Sequence, residues 1–272
     1  MKLATWNVNS LAVRLPQVLD WLQANPVDGL VLQETKLTDD KFPQAEIEAA
    51  GYAVQWFGQK TYNGVALLSR QAASEVVKNI PGLVDDQARV IAGTLPSALT
   101  AEGAAADAGN GAGVRVIGAY FPNGQAPDSD KFVYKMRWLD ALQAWVQDEL
   151  SRHPNLVLLG DYNIAPEDRD VYDPVAWAGQ IHCTPQERGH FQGLLQQGLV
   201  DAFRLFDQPP RSWSWWDYRN LAFRKNQGLR IDHILVSEPL RARVLGCHID
   251  KLPRKNERPS DHAPVVIEIA LA

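Results

Sequence analysis

Residues 156–163 read LVLLGDYN, a short, continuous apolar run that ends in polar side chains. Consecutive apolar residues over one strand length are typical of a strand that is buried on both faces of its sheet. Residues 29–36 repeat the pattern as GLVLQETK, with an apolar run followed by Gln, Glu, Thr and Lys. The sequence therefore predicts buried strands whose ends carry reactive groups.

Other segments extend this pattern along the whole chain. Further strand-like runs occupy residues 3–8, 65–68, 114–117, 231–236 and 265–269. Helical periodicity separates them, because apolar residues recur at helical spacing over 15–22, where the pattern stops at Asn25-Pro26. Strands that alternate with a few helices indicate an α/β sandwich, in which helices cover packed sheets.

A second, longer helix is predicted after residue 129. Its N-cap is Ser129, and its apolar face consists of Phe132, Met136, Leu139, Leu142, Val146 and Leu150. Residues 97–113 (SALTAEGAAADAGNGAG) are the one low-complexity segment, between predicted strands at 89–95 and 114–120. They indicate an elongated hairpin loop and a tolerated insertion. With no linker elsewhere, residues 1–272 are predicted to form one domain.

The composition of the 272 residues excludes several classes of protein. Hydrophobic residues make up 46% and charged residues 22%, which excludes collagen-like, mucin-like and wholly disordered chains. Cys183 and Cys247 are too few for a disulfide framework, and we find no apolar stretch long enough for a signal peptide or membrane span. We therefore expect a soluble protein of the cytoplasm without a membrane partner.

The net charge of −5 hides an uneven distribution. Residues 211–258 carry 11 basic and 5 acidic side chains, a net charge of +6. The segment opens with the aromatic run WSWWDY at 213–218. Such a segment is either a solvated face with core aromatics or a surface that stacks nucleotides and binds phosphates.

The polar strand ends define the predicted chemistry. Carboxylates and amides at strand ends converge on one rim of a sheet protein, although a single Asp or Asn is usually a turn residue. Hard oxygen ligands of this kind suit Mg²⁺ or Mn²⁺. They are Asn7, Glu34, Asp161, Asn163, Asp232 and Asp261. Together with a His, they favour hydrolysis of a phosphodiester or phosphomonoester.

The ordered set of motifs resembles the exonuclease III family of DNA-repair nucleases, within the endonuclease/exonuclease/phosphatase superfamily. Short matches such as Asn-Gly are weak, but the full set runs in family order along nearly the whole chain. The matching segments are TWNVN (5–9), LQETK (32–36), NGVALL (63–68), YFPNG (120–124), GDYNI (160–164), SWWDYR (214–219), GLRID (228–232) and RPSDHAP (258–264). The resemblance implies a four-layer α/β sandwich of two mixed sheets flanked by helices.

The resemblance also implies metal ligands and catalytic roles. Glu34 would be the principal Mg²⁺ ligand with Asn7 beside it, and Asp261 would serve a second metal position. Asp161 would position or deprotonate the attacking water, and Asn163 would orient that water and the phosphate.

A histidine completes the implied catalytic machinery. Asp232 would hold His262 in one tautomer, and His262 would donate to a non-bridging phosphate oxygen. Tyr120 and Asn123 would reach the phosphate too.

The implied partner is double-stranded DNA with abasic sites or 3′ ends, bound by a monomer. Trp215 would wall the pocket that admits an abasic or terminal nucleotide, and Trp213 or Trp216 would pack inward. The remaining residues assigned to substrate binding are Asn9, His182, Arg219, Arg224 and Lys225.

The balance of activities depends on His182. Abasic incision requires the damaged sugar to rotate into a tight pocket. His182 is bulkier than the small residue that easy entry would favour, so we expect 3′→5′ exonuclease and 3′-end processing to exceed abasic endonuclease activity. The alternative is an outward-pointing loop histidine.

Two rival functions stay open. One is a superfamily phosphatase or phosphodiesterase acting on inositol lipids or sphingolipids, although the basic aromatic segment and the absence of an amphipathic membrane helix disfavour it. The other is a DNA-binding module without catalysis, which the intact set of acids, amides and histidine disfavours.

Overall fold

The strands that the sequence pattern predicts are assembled into two mixed, six-stranded sheets. The computed structural model describes residues 1–97 and 113–271. Within these ranges the strands are β1 (Lys2–Asn7), β2 (Gly29–Gln33), β3 (Ala53–Phe57), β4 (Val65–Ser69), β5 (Ser74–Lys78), β6 (Val90–Pro96), β7 (Gly113–Tyr120), β8 (Leu156–Asp161), β9 (Leu199–Asp201), β10 (Asp232–Ser237), β11 (Val244–Ile249) and β12 (Val265–Ile269). The α-helices are α1 (Leu11–Ala24), α2 (Gln44–Ala49), α3 (Asp130–Arg152), α4 (Pro174–Trp177), α5 (Pro185–Gln196), α6 (Ala222–Lys225) and α7 (Glu238–Arg241).

The order of the strands places the motif-bearing ends at one edge. The first sheet runs β11-β12-β1-β2-β4-β3 and the second runs β5-β6-β7-β8-β10-β9. In the first sheet β1 is parallel to β2, and in the second β7 is parallel to β8. Parallel neighbours finish at the same edge, so the polar residues after these strands meet there.

The two sheets pack face to face and helices cover their outer faces. In β8, Val157 and Leu159 contact the core between the sheets, whereas Leu156 and Leu158 pack towards α3 and α5. The outer face of the first sheet packs in the same way against α1 and α2. Helix, sheet, sheet and helix make four layers, and the predicted α/β sandwich is confirmed. It also explains the continuous apolar runs, because both faces of the central strands are buried.

Both predicted helices form, and the second has the predicted N-cap. α1 ends at Ala24, just before Asn25, and the Ser129 side chain accepts a hydrogen bond from the Phe132 backbone N–H at the start of α3. The buried face of α3 is wider than the apolar pattern indicates, because Lys135 and Glu149 are also buried there.

The predicted hairpin around the low-complexity segment is formed by β6 and β7, which pair antiparallel. Residues 98–112 of the predicted loop lie outside the described residues. Among the helices that are described, none is long and apolar enough to cross a membrane.

Candidate active site

Both sheets contribute polar residues to one rim of the sandwich. Asn7 is the last residue of β1 and Glu34 follows β2, while Tyr120 and Asp161 end the parallel strands β7 and β8. Asp232 begins β10 and is paired with Asp161 in the antiparallel register. Because β1 packs against β8, Asn7 and Asp161 become neighbours although 154 positions separate them in the sequence.

Asn7 connects the two acidic groups of this rim. Its Nδ2 donates to Glu34 Oε1 and to Asp161 Oδ2, both at 2.8 Å. Its Oδ1 accepts from the Asn9 backbone N–H at 2.9 Å. The amide therefore presents its N–H groups, rather than its oxygen, to the carboxylates.

The acidic rim provides a set of groups that suits a metal ion. One ligand atom each of Glu34, Asp161 and His262 lie within 4.8 Å of one another. Glu34 is partly exposed and Asp161 is buried. Carboxylate oxygens fit a hard divalent ion. Lys36 Nζ lies 2.8 Å from Glu34 Oε2 and supplies one positive charge there.

The buried imidazole of His262 is held by two carboxylates. Its Nδ1 lies 2.9 Å from Asp232 Oδ2, and its Nε2 lies 3.7 Å from Asp161 Oδ2. Burial alone would lower the pKa of His262, but the negative charges of Asp232 and Asp161 outweigh it and raise the pKa to about 10. His262 is therefore an imidazolium at neutral pH, which makes it a hydrogen-bond donor rather than a metal ligand.

Asp161 is suited to act as a proton acceptor, in contrast to the charged donor His262. Burial raises its pKa to about 7, since the nearby Asp232 charge adds to the effect and the His262 charge only partly offsets it. A carboxylate with a pKa near neutrality is suited to accept a proton from water. Its Oδ1 is fixed by the Asn163 backbone N–H at 2.9 Å.

Tyr120 is a hydrogen-bond donor in this setting. Burial raises the pKa of its phenol well above 10, and the charges of Glu34 and Asp161 raise it further. The Arg89 guanidinium lies 5.0 Å from the ring centroid and holds the ring from the other side. Tyr120 therefore keeps its proton.

Two asparagines form a second line of amides along the rim. Asn163 Nδ2 donates to the Phe121 carbonyl at 3.1 Å, and Asn163 Oδ1 accepts from Asn123 Nδ2 at 3.2 Å. Asn163 adopts a left-handed backbone, with φ of 50°, which Asn tolerates better than most residues. The turn directs its side chain back towards Asp161.

Asp261 belongs to a separate small network. Its Oδ1 accepts from Asn9 Nδ2 at 3.0 Å, and its Oδ2 accepts from Trp215 Nε1 at 2.9 Å. Asp261 is therefore tied to two of the residues assigned to substrate, and it lies outside the Glu34, Asp161 and His262 cluster in the described chain.

The aromatic and basic segment divides between core and surface. Trp213 and Trp216 are buried as predicted, and Trp215 is half-buried at the site. Arg219 is exposed but paired with Asp217, with Nη2 and Oδ2 2.7 Å apart. Arg224 and Lys225 are exposed on α6.

His182 points inward. It is buried, its Nδ1 lies 2.8 Å from the Asn163 carbonyl oxygen, and its ring lies between those of Trp177 and Trp215 at 6.3 and 6.5 Å. The alternative of an outward-pointing loop histidine is wrong, because the Asn163 carbonyl and the two indoles hold the ring inside.

Several residues of the site were not anticipated from the sequence. Lys36 contacts Glu34, and Arg89 contacts Tyr120. Lys36 is part of the LQETK motif. Lys135 and Glu187 lie behind the site. The spacing of Thr184 and Glu187 is that of a capping box, a signal that was readable from the sequence.

The sequence profile of the endonuclease/exonuclease/phosphatase family matches residues 4–262. The chain belongs to this family. It is 34% identical to exodeoxyribonuclease III of Haemophilus influenzae over 98% of this chain and 99% of that protein. The structure of a 3′ phosphatase, NExo, from Neisseria bound to product DNA hairpin superimposes with a TM-score of 0.92 at 49% identity, covering 99% of both chains. An AP endonuclease from Archaeoglobus fulgidus superimposes with a TM-score of 0.88 at 34% identity, also over 99% of both chains.

Membership of the endonuclease/exonuclease/phosphatase family confirms the resemblance predicted from the ordered motifs. The relatives make this chain a hydrolytic nuclease of the exonuclease III type. The acidic cluster agrees with the metal-dependent chemistry of this family.

Proposed function

We propose that this nuclease trims the 3′ ends of duplex DNA, with Mg²⁺ at the acidic cluster and with abasic incision as a lesser activity. The observation that carries the proposal is the opposed arrangement of Asp161 and His262 at the end of β8, with Glu34 across from them. This arrangement places a base and a cationic donor side by side, with His262 Nε2 3.7 Å from Asp161 Oδ2. Relatives that are an exodeoxyribonuclease and a 3′ phosphatase support a 3′-terminal substrate.

The protein groups divide the work of in-line hydrolysis. Asp161 accepts the proton of the attacking water, which Asn163 orients through its amide. His262, charged and held by Asp232, donates from Nε2 to a non-bridging phosphate oxygen as negative charge builds. Tyr120 donates its phenolic proton in a hydrogen bond to the same phosphate, and Asn123 adds an amide donor.

A divalent cation fits beside these groups. Glu34 would be its principal ligand, with Asn7 keeping the carboxylates of Glu34 and Asp161 at a fixed separation and Asp261 available to a second ion. When bound, Mg²⁺ or Mn²⁺ would polarise a phosphate oxygen and neutralise developing charge. Such an ion would also relieve the repulsion between the two carboxylates.

The substrate-facing surface supports binding of nucleic acid. Trp215 stands at the edge of the site and Asn9 is linked to it through Asp261. Arg224 and Lys225 present exposed cations on α6 for backbone phosphates, and Arg219 adds a third once its ion pair with Asp217 opens. The lipid-phosphodiesterase alternative has no comparable use for this basic surface.

His182 sets the preference for termini. Its buried ring lies 6.3 and 6.5 Å from the rings of Trp177 and Trp215 and is hydrogen-bonded to the Asn163 carbonyl. We infer that a rotated internal sugar would meet this ring, whereas a frayed 3′ nucleotide would not. Replacing His182 by Gly should raise incision of a duplex with an internal tetrahydrofuran at least about 10-fold, since it removes that steric block. Unchanged incision would show that His182 does not limit entry.

The test of the proposed function is incubation of labelled 3′-recessed duplex with Mg²⁺ or with EDTA. We expect Mg²⁺-dependent shortening from the 3′ end. Cleavage that ignores EDTA would remove the metal-dependent mechanism, and binding without cleavage would favour the non-catalytic module. We further propose that the enzyme acts as a monomer. Its two cysteines are buried and unpaired, which supports the further proposal of a reducing compartment, the cytoplasm.

A further inference from the structure

Two charged side chains lie fully buried behind the site. Lys135 on α3 and Glu187 on α5 form an ion pair, and both side chains have a relative exposure of 0%. Charges withdrawn from water persist only where ion pairing and hydrogen bonds replace the lost hydration. The partners of this ion pair therefore indicate what it holds in place.

The three ammonium protons of Lys135 have three acceptors. One is Glu187 Oε1, and the other two are the backbone carbonyls of Asn163 at 2.8 Å and Asn123 at 3.2 Å. These are the two residues whose side-chain amides line the rim and contact each other. Lys135 thus fixes the main chain on which both amides are carried.

Glu187 performs the same task for the next loop. Its Oε1 also accepts from the His182 backbone N–H at 3.1 Å, and its Oε2 accepts from the backbone and hydroxyl of Thr184 at 3.0 and 2.8 Å. His182 adopts a left-handed backbone with φ of 74°, an unfavourable conformation for histidine. The bond from Glu187 holds the chain in that conformation.

The contacts of Lys135 and of the loop that Glu187 holds meet at the Asn163 backbone carbonyl. Burial and the nearby Lys135 charge lower the pKa of His182 to about 4, so its ring is neutral, and Nδ1 donates to the carbonyl that Lys135 also binds. The amides that face phosphate and the imidazole that restricts entry are therefore fixed by one buried ion pair.

We propose that Lys135 and Glu187 are positioning residues that set both the turnover rate and the preference for 3′ termini. They touch no reacting atom and act through the backbones of Asn123, Asn163 and His182. The inference rests on the proposed function, because it assumes that 3′ ends are the main substrate.

The test compares two variants with a matched control. Lys135→Met keeps the unbranched chain of the lysine, one atom shorter, and removes its charge. Glu187→Gln keeps the shape of the carboxylate with a smaller disturbance of folding. The control is Glu149→Gln, which disrupts another buried ion pair of α3, with Arg115, away from the site. Each protein is assayed with Mg²⁺ on a 3′-phosphate duplex and on a duplex with an internal tetrahydrofuran.

We expect both variants to lower kcat for 3′-phosphate removal at least about 10-fold while KM changes less than about 3-fold, because the amides lose their alignment. The ratio of tetrahydrofuran incision to 3′-phosphate removal should rise at least about 5-fold, since His182 loosens as well. In a His182→Gly background, Glu187→Gln should leave that ratio unchanged, because the obstacle is already gone.

The ratio separates positioning from simple loss of folded protein, which lowers both activities equally. An unchanged ratio in Glu187→Gln, or the same ratio change in Glu149→Gln, would overturn the inference while the proposed function stands. If Lys135→Met fails to fold, Glu187→Gln decides the matter. Wild-type protein that leaves 3′ ends intact would overturn the proposed function and the inference together.

Discussion

Replacing Asp232 by Asn tests the charged state of the His262 imidazole. Asp232 is buried and its carboxylate is bonded to His262 Nδ1, while Asp161 lies on the other side of the ring. The variant keeps the shape of the side chain and removes its charge. It should therefore change the protonation of His262 without changing the packing of β10.

The magnitude follows from the pKa of His262. A rise from 6.5 to about 10 corresponds to roughly 5 kcal/mol in favour of the imidazolium, shared between the two carboxylates. Since Asp232 is the nearer carboxylate, its loss should lower the pKa of His262 by about 2 or more. With a pKa of about 8, the imidazolium fraction at pH 8.5 falls from about 97% to about 25%, so turnover should fall at least about 4-fold.

The assay is an NMR titration of the histidine ring protons in metal-free protein, with single-turnover cleavage of a 3′-phosphate duplex measured in parallel with Mg²⁺. The ring-proton signals of the exposed His248 serve as the internal control. The upper limb of the pH–rate profile should move to lower pH together with the His262 titration.

The pH dependence of folding stability is an independent test of the contact between His262 and Asp232. Because the native pKa of His262 lies above its ordinary value, its contribution to the free energy of unfolding is complete below about pH 6.5 and is lost as the pH rises through about 10. The urea midpoint of the wild type should fall over this interval more than that of Asp232→Asn. A His262 pKa that stays near 10 in the variant, with turnover within about 3-fold of wild type, would refute the reasoning.

Three further predictions concern single groups of the site and its surface. Asp161→Asn should reduce the rate at least about 10²-fold, because no base remains to accept the proton of water; near wild-type turnover would contradict that role. In wild-type protein, kcat/KM should rise between about pH 5 and 8 as Asp161 loses its proton, and a profile that is flat there would argue against this base. Neutralising Arg224 and Lys225 together should weaken duplex binding and reduce the slope of log affinity against log salt by about 2, while an unchanged slope would place both side chains off the interface.

The interior strands of the sandwich could be predicted because strands that are buried on both faces consist of continuous apolar residues. The eight strands flanked on both sides within their sheets all correspond to predicted apolar runs. The four that were missed, β3, β5, β9 and β11, are the sheet edges. An edge strand is paired on one side only and is often half exposed. In β5 none of the five residues is buried, so its apolar signal is weak.

The site was predictable in its residue types and only partly in its contacts. The polar ends of β1, β2 and β8 identified Asn7, Glu34 and Asp161, since parallel strands bring their ends to one rim. The face of Asn7 that meets the carboxylates and the inward pose of His182 depend on hydrogen bonds across the fold. The burial of Lys135 could not be predicted for a related reason. A lysine in an amphipathic helix is normally exposed, and here distant partners, Glu187 among them, allow it to be buried.

The central claim is tested most directly by side-by-side kinetics of the wild-type protein on duplexes with a 3′-phosphate, a 3′-hydroxyl or an internal abasic site, each with Mg²⁺ or EDTA. We predict that kcat/KM for the 3′-terminal substrates exceeds that for the abasic site by at least about 10-fold, and that EDTA abolishes all three reactions. Faster incision of the abasic site, or cleavage that persists in EDTA, would contradict a metal-dependent enzyme of 3′ ends.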